Sequence, residues 1–146
     1  MQIREIMTRD VEVIPSDAPV REAATKMKYL DVGVILVCDG QKLAGLVTDR
    51  DIAVRVVAEG RDSSRTKVSD VMTTDISYCF EDQEVDEAAS LMEVNQIRRL
   101  PILDREKRLV GILSLGDISV RTEGTEDQDL AAEALEEISE PAAPKR

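Results

Sequence analysis

The sequence predicts an α/β (α+β) fold built from two pseudo-symmetric copies of one strand-helix-strand-strand-helix unit, packed sheet to sheet and followed by an acidic tail. Three observations predict it. Sliding the chain by 65 positions superposes Met7-Thr8 on Met72-Thr73, Val20 on Val85, Ala23-Ala24 on Ala88-Ala89 and Met27 on Met92, and from Gly45 and Gly111 onward the shift becomes 66. Within each copy, short apolar runs of strand length alternate with stretches whose apolar residues recur at helical spacing. Finally, a unit of about sixty residues has only a marginal core of its own, so two sheets packed together bury what one exposes.

In chain order, each copy reads short helix, strand, helix, strand, strand, helix. Val11 to Ile14 and Ile76 to Phe80 are short apolar runs suited to strands. Pro15 and Ser16 end the first, and Asp17 with Pro19 predicts an N-cap and an early helical proline. Val20, Ala23, Ala24, Met27 and Leu30 then share a helical face that Val85, Ala88, Ala89 and Met92 repeat. Two hairpins follow, Val34 to Cys38 with Leu43 to Val47 across Asp39-Gly40, and Leu100 to Leu103 with Leu109 to Leu113 across the longer turn Asp104 to Lys107. The one-residue change of offset falls there. The domain boundaries are therefore 1–59 for the first copy, 60–67 for a polar, glycine-led linker, 68–121 for the second copy and 122–146 for the tail. In the tail, Asp127 to Ile138 predicts an alanine- and glutamate-rich helix stopped by Pro141 and Pro144, either a solvated, partly frayed appendage or a docking helix for another subunit or partner.

Composition narrows the chemistry. The 146 residues include no His and no Trp, and only 2% are aromatic, so the core is aliphatic and the commonest general base and metal ligand are both missing. No nucleophile-base pair or metal set is visible, and no catalytic residue is assigned. Cys38 and Cys79 form no metal-ligand pattern and read as free buried thiols. Met7, Met27, Met72 and Met92 read as packing residues. No apolar run approaches the ~20 residues of a membrane span, and the N-terminus lacks a signal-peptide layout, so a cytoplasmic protein is expected. The formal charge of −11 argues against non-specific nucleic-acid binding while leaving room for a locally basic anion pocket.

The chemistry concentrates in Gly45-Leu-Val-Thr48-Asp-Arg-Asp51 and its return as Gly111-Ile-Leu-Ser114-Leu-Gly-Asp117. Thr48 with Asp51, and Ser114 with Asp117, have the spacing of a capping box, which is a sufficient structural reason for both pairs. The glycines add a second possibility. Inside a strand, glycine marks close approach of a ligand or of another backbone, while exposed helix N–H groups attract phosphate and a carboxylate can accept two hydrogen bonds from ribose hydroxyls.

The doubled pattern of Met-Thr, Val, Ala and Met followed by Leu-Pro-Ile-Leu-Asp, Leu-Val-Gly-Ile-Leu-Ser and Asp-Ile resembles the cystathionine-beta-synthase (CBS) domain. Two in tandem, here over about Ile3 to Arg121, look like a Bateman module. The resemblance implies a cleft between repeats that holds an adenosine ligand, AMP, ADP, ATP or S-adenosylmethionine. It assigns ribose contacts to Asp51 with Thr48 and to Asp117 with Ser114, and adenine-flanking positions to Ile35 and Leu36 and to Leu100 and Pro101. Arg98 and Arg99 stand where relatives carry phosphate-facing cations. Their first-copy counterparts are Gly33 and Val34, with Arg50 inside that motif instead, so the two sites are expected to be unequal. The expectation is a non-enzymatic sensory module, a homodimer with an unidentified protein partner and no nucleic-acid or membrane partner. The alternative is a ligand-free dimerisation or interaction module.

Overall fold

In the computed structural model, which describes residues 1–139, two three-stranded sheets form, one from each copy. The first contains β1 (Val13–Ile14), β2 (Val34–Asp39) and β3 (Lys42–Thr48), with α1 (Val20–Leu30) between β1 and β2 and α2 (Asp49–Ile52) after β3. A π turn over Ala53–Val57 extends α2. The second contains β4 (Cys79–Phe80), β5 (Arg99–Leu103) and β6 (Leu109–Ser114), with α3 (Val85–Asn95) and α4 (Leu115–Arg121) in the same places. Helix α5 (Leu130–Ile138) follows, and 3-10 turns at Ile3–Glu5 and Val68–Asp70 open the two copies.

Strands β1 and β2 run parallel, with Val13 opposite Leu36, because an eleven-residue helix separates them and returns the chain to the same end of the sheet. Strands β4 and β5 repeat this with Cys79 opposite Ile102. Strands β2 and β3 are antiparallel across Gly40-Gln41, where Gly40 takes φ +64, as the Asp-Gly signal predicts. The longer second turn uses Lys107 at φ +63.

The helix starts depart from expectation. Asp17 does not cap α1; Pro19 occupies the N-cap place in extended conformation, and the first amides are satisfied from elsewhere. Val20 N donates to Thr66 O (2.8 Å) and Arg21 N to Ser63 O (3.0 Å), so the linker between copies caps α1. The second copy does the same: Val85 N donates to Met1 O (3.0 Å), and Met1 lies 65 positions before Thr66. Local propensity did not reveal this, because the acceptors are backbone carbonyls distant in sequence.

Two compact units result, and each borrows a segment from the other repeat. The unit built on β4–β6 includes Met1–Val11, Ser77–Glu106 and the described residues from Val110 to Ser139; the one built on β1–β3 spans Glu12–Ile76 with Lys107–Leu109. In the former, Thr8 and Ile112 exchange two backbone hydrogen bonds of 2.9 Å, covering the open edge of β6. In the latter, Thr73 and Leu46 do the same for β3 at 2.8 and 2.9 Å.

Each unit has its own aliphatic core. Val20, Ala23, Met27, Ile35, Val37 and Val47 meet in one, with Met72 packed against them. Met7, Val85, Ala88, Ala89, Met92, Leu100 and Ile102 meet in the other. Both cysteines are free and buried, and burial pushes the Cys79 thiol up to about 11. The tail helix begins three residues later than predicted and is no solvated appendage. Helix α5 lies on α3 and α4 of its own unit, with Ala131 and Ala134 inside the core. Pro141 and Pro144 lie outside the described residues. No helix among the described residues is long and apolar enough to cross a membrane.

Candidate functional site

Both glycine-hydroxyl-aspartate corners fold as complete capping boxes. Thr48 Oγ1 accepts from Asp51 N while Thr48 N donates to Asp51 Oδ2, each at 3.0 Å, and Ser114 with Asp117 repeats both bonds at 3.0 Å. One carboxylate oxygen of each aspartate is thereby committed to the backbone. What meets the carboxylate otherwise differs between copies.

Thr8 Oγ1 donates to Asp117 at 3.2 Å (Oδ1), with Oδ2 at 3.4 Å, so a hydroxyl from the borrowed N-terminal segment orients this half-buried carboxylate. Asp51 instead faces Arg55, Nε to Oδ1 at 3.8 Å, within its own helix. Thr8 was missed as a site residue, although the matched Met7-Thr8 and Met72-Thr73 pairs carried the signal.

The glycines serve chain crossing. A Cβ on Gly45 would lie 2.6 Å from Thr73 O, and one on Gly111 would lie 2.7 Å from Met7 Sδ and 2.9 Å from Thr8 O. Of the two readings of a strand glycine, approach by another backbone holds in both copies.

In the second copy, the side chains gather at a cavity. Arg98 and Arg99, both exposed at the start of β5, line a space of about 540 Å³ with Ser114, Leu115, Gly116 and Ser119, and α5 supplies Ala131, Ala132 and Leu135. The backbone holds this corner closed, since Leu115 N donates to Arg98 O at 3.0 Å. Asp117 is adjacent through Ser114 but does not itself line the space. Leu100 is fully buried in the core and Pro101, next in the chain, is also buried; neither lines the space.

The first copy has the same backbone bond but a different set of charges. Asp49 N donates to Gly33 O at 2.9 Å, matching Leu115 and Arg98, and a Cβ on Gly33 would lie 3.0 Å from Asp49 Oδ2. A carboxylate therefore stands beside the position where the second copy begins its arginine pair. Arg50 is exposed, and its backbone N–H donates to Asp49 Oδ1 at 2.8 Å. Ile35 and Leu36 are buried, Ile35 within the core of its unit.

The family model described as the CBS domain matches residues 3–58 and 68–121. The chain is 41% identical over 137 residues to the CBS domain-containing protein YhcV of Bacillus subtilis, covering 94% of each. Among solved structures it resembles a CBS domain protein from Pyrobaculum aerophilum complexed with AMP (TM-score 0.69, 25% identity, 82% of this chain and 92% of that one). It also resembles the CBS domain pair of protein MJ0100 in complex with 5′-methylthioadenosine and S-adenosyl-L-methionine (TM-score 0.69, 26% identity, 85% and 97% covered).

Proposed function

This chain belongs to the CBS-domain family as a tandem pair, and from that premise we propose that it is a regulatory module which binds an adenosine nucleotide and reports its presence to a partner, without catalysing a reaction. The observation that carries the reading is the cavity where Arg98, Arg99 and Ser114 meet beside Asp117. Two exposed guanidiniums suit phosphate oxygens. They favour AMP, ADP or ATP over S-adenosylmethionine, whose sulfonium carries positive charge. Asp117 would accept from the ribose hydroxyls, exchanging its bond from Thr8, while Leu100 and Pro101 back the adenine end. Thr48, Asp51, Arg50, Ile35 and Leu36 form the weaker counterpart, where Asp49 repels phosphate.

A homodimer is part of the proposal. Exposed apolar side chains recur at matched helix positions, Tyr29 (79% exposed) with Val94 (81%), and Val54 (48%) with Val120 (72%). A ligand shifts an equilibrium only by its differential affinity for the two states, so a change within the dimer or at a partner is the output.

A ligand-free dimerisation module is the second reading, favoured by the complete capping boxes, which account for Asp51 and Asp117 structurally. Thermal melting of nucleotide-free protein with AMP, ADP, ATP, S-adenosylmethionine and GMP separates the two. Ligand at 100 times its dissociation constant stabilises by about 2.7 kcal/mol, a rise of roughly 5 to 10 °C at this size. Asp117→Ala is expected to abolish the shift and Asp51→Ala to leave most of it; equal losses would refute the inequality of the sites. Flat curves across the panel would favour the second reading.

A further inference from the structure

We infer that helix α5 is a structural wall of the nucleotide cavity, so that ligand binding and docking of the C-terminal helix reinforce each other. The inference rests on the nucleotide-binding reading above. Helix α5 lies beyond both stretches that match the CBS domain, and its sequence has no counterpart after the first copy. It is nevertheless anchored in its unit: Ala134 is fully buried and Ala131 nearly so, packed with the cluster that contains Val85, Ala88 and Ile118.

The same helix turns Ala131, Ala132 and Leu135 toward the cavity that Arg98, Arg99 and Ser114 line. The two groups differ in chemistry. One offers cationic and hydroxyl groups for phosphate; the other is small and apolar, with the exposed Leu135 left at the cavity although α5 has glutamates at 133, 136 and 137. None of those three carboxylates lines the cavity. A nucleotide has the matching division, charged at one end and apolar over its base, and a space of about 540 Å³ falls in the range of small-molecule sites. Removing α5 would leave the arginines on an open surface.

Because the wall exists only while α5 is docked, a ligand that touches it binds the docked state better. By reciprocity it must raise the docked population. The link from α4 is short and bonded: Thr122 Oγ1 donates to Ile118 O, Thr125 Oγ1 donates to Thr122 O at 2.6 Å, and Gly124 turns at φ +80. Ligand occupancy would thus set the position of the acidic segment that follows α4, which gives the site an output.

Ala132 provides the test, since it is exposed and lies outside the core. Titration of AMP, ADP and ATP by calorimetry should show Ala132→Glu weakening binding by about tenfold or more, with the melting temperature of the free protein unchanged. Ala132→Phe should alter affinity by narrowing the cavity, and Glu137→Ala should not. In the wild type, nucleotide should slow amide exchange across Leu130–Ile138. Nucleotide binding that survives Ala132→Glu within twofold, with exchange in α5 unchanged, would overturn this inference and leave the nucleotide reading standing. No binding of any of the three by the wild type would overturn both.

Discussion

Asp117 and Asp51 illustrate how one residue type at one spacing acquires two environments. Each closes a capping box, but Asp117 also receives the Thr8 hydroxyl, whereas Asp51 faces Arg55. Beside them, Gly45 and Gly111 are required because a borrowed segment crosses them. Gly45→Ala would drive a Cβ to 2.6 Å from a backbone oxygen, which only a backbone shift relieves. Overpacking of this kind costs about 1 to 3 kcal/mol, and denaturant unfolding should show it as a lower midpoint at unchanged slope; wild-type stability would contradict the crossing argument. Asp82 supplies a pH test. Arg105 bonds it through Nε and Nη2 at 2.8 to 3.1 Å and stacks on Phe80, 4.2 Å from the ring centre. That guanidinium holds the Asp82 carboxyl below its usual range. A depressed folded-state pKa stabilises above the unfolded value of about 3.9 and loses that stabilisation as pH falls through the folded value. The difference in melting temperature between wild type and Arg105→Gln should therefore be constant above about pH 5 and shrink below pH 4, leaving the pH-independent stacking part. A difference constant down to pH 2.5 would exclude the charge contribution.

The helices show which start and stop signals were readable. Helices α2 and α4 begin where their hydroxyl residues predict, because the capping partner lies three residues away. The starts of α1 and α3 were not readable, since Thr66, Ser63 and Met1 supply the acceptors from outside the local window. Both helices end on a non-glycine residue in the left-handed region, Asp31 at φ +55 and Gln96 at φ +53. A side chain there costs about 1 to 2 kcal/mol, partly offset by glycine's greater unfolded-state freedom. Gln96→Gly should raise unfolding free energy by about 0.5 to 1 kcal/mol; a loss would mean that the Gln96 side chain has an unrecognised partner. Helix α5 was legible as an amphipathic segment, but its destination was not, since an alanine-rich face fits a partner's groove as well as its own unit's. Its inward residues prove to be Ala131 and Ala134, with Leu130 and Ile138 packed against the core as their spacing predicts and Leu135 left exposed.

Over the whole molecule, the repeated exposed positions bear on assembly. Tyr29, Val54, Val94 and Val120 are too exposed to contribute to either core, and under the proposed homodimer they are the side chains assigned to its interface. Val94→Glu should leave monomer stability within about 0.5 kcal/mol and weaken the proposed dimer about tenfold or more, read by sedimentation across a concentration series. A chain that sediments identically before and after the change, or that is monomeric throughout, would remove these residues from the assembly argument. The order of elements, the hairpins and the capping boxes were readable from residue order, because each depends on neighbours within about one helical turn or one hairpin, or on a comparison of one copy with the other; two marginal halves that bury each other's sheets were expected, whereas each unit has an aliphatic core of its own. Reading residue order alone did not show that Met1–Val11 completes the unit of the second copy, that the linker caps α1, that Asp49 stands beside Gly33, or that α5 walls the cavity at Arg98 and Arg99. Those features join residues from 16 to more than 100 positions apart. They are selected by burial and by satisfaction of otherwise unpaired backbone groups, which act on the folded chain as a whole and leave no local spacing to read.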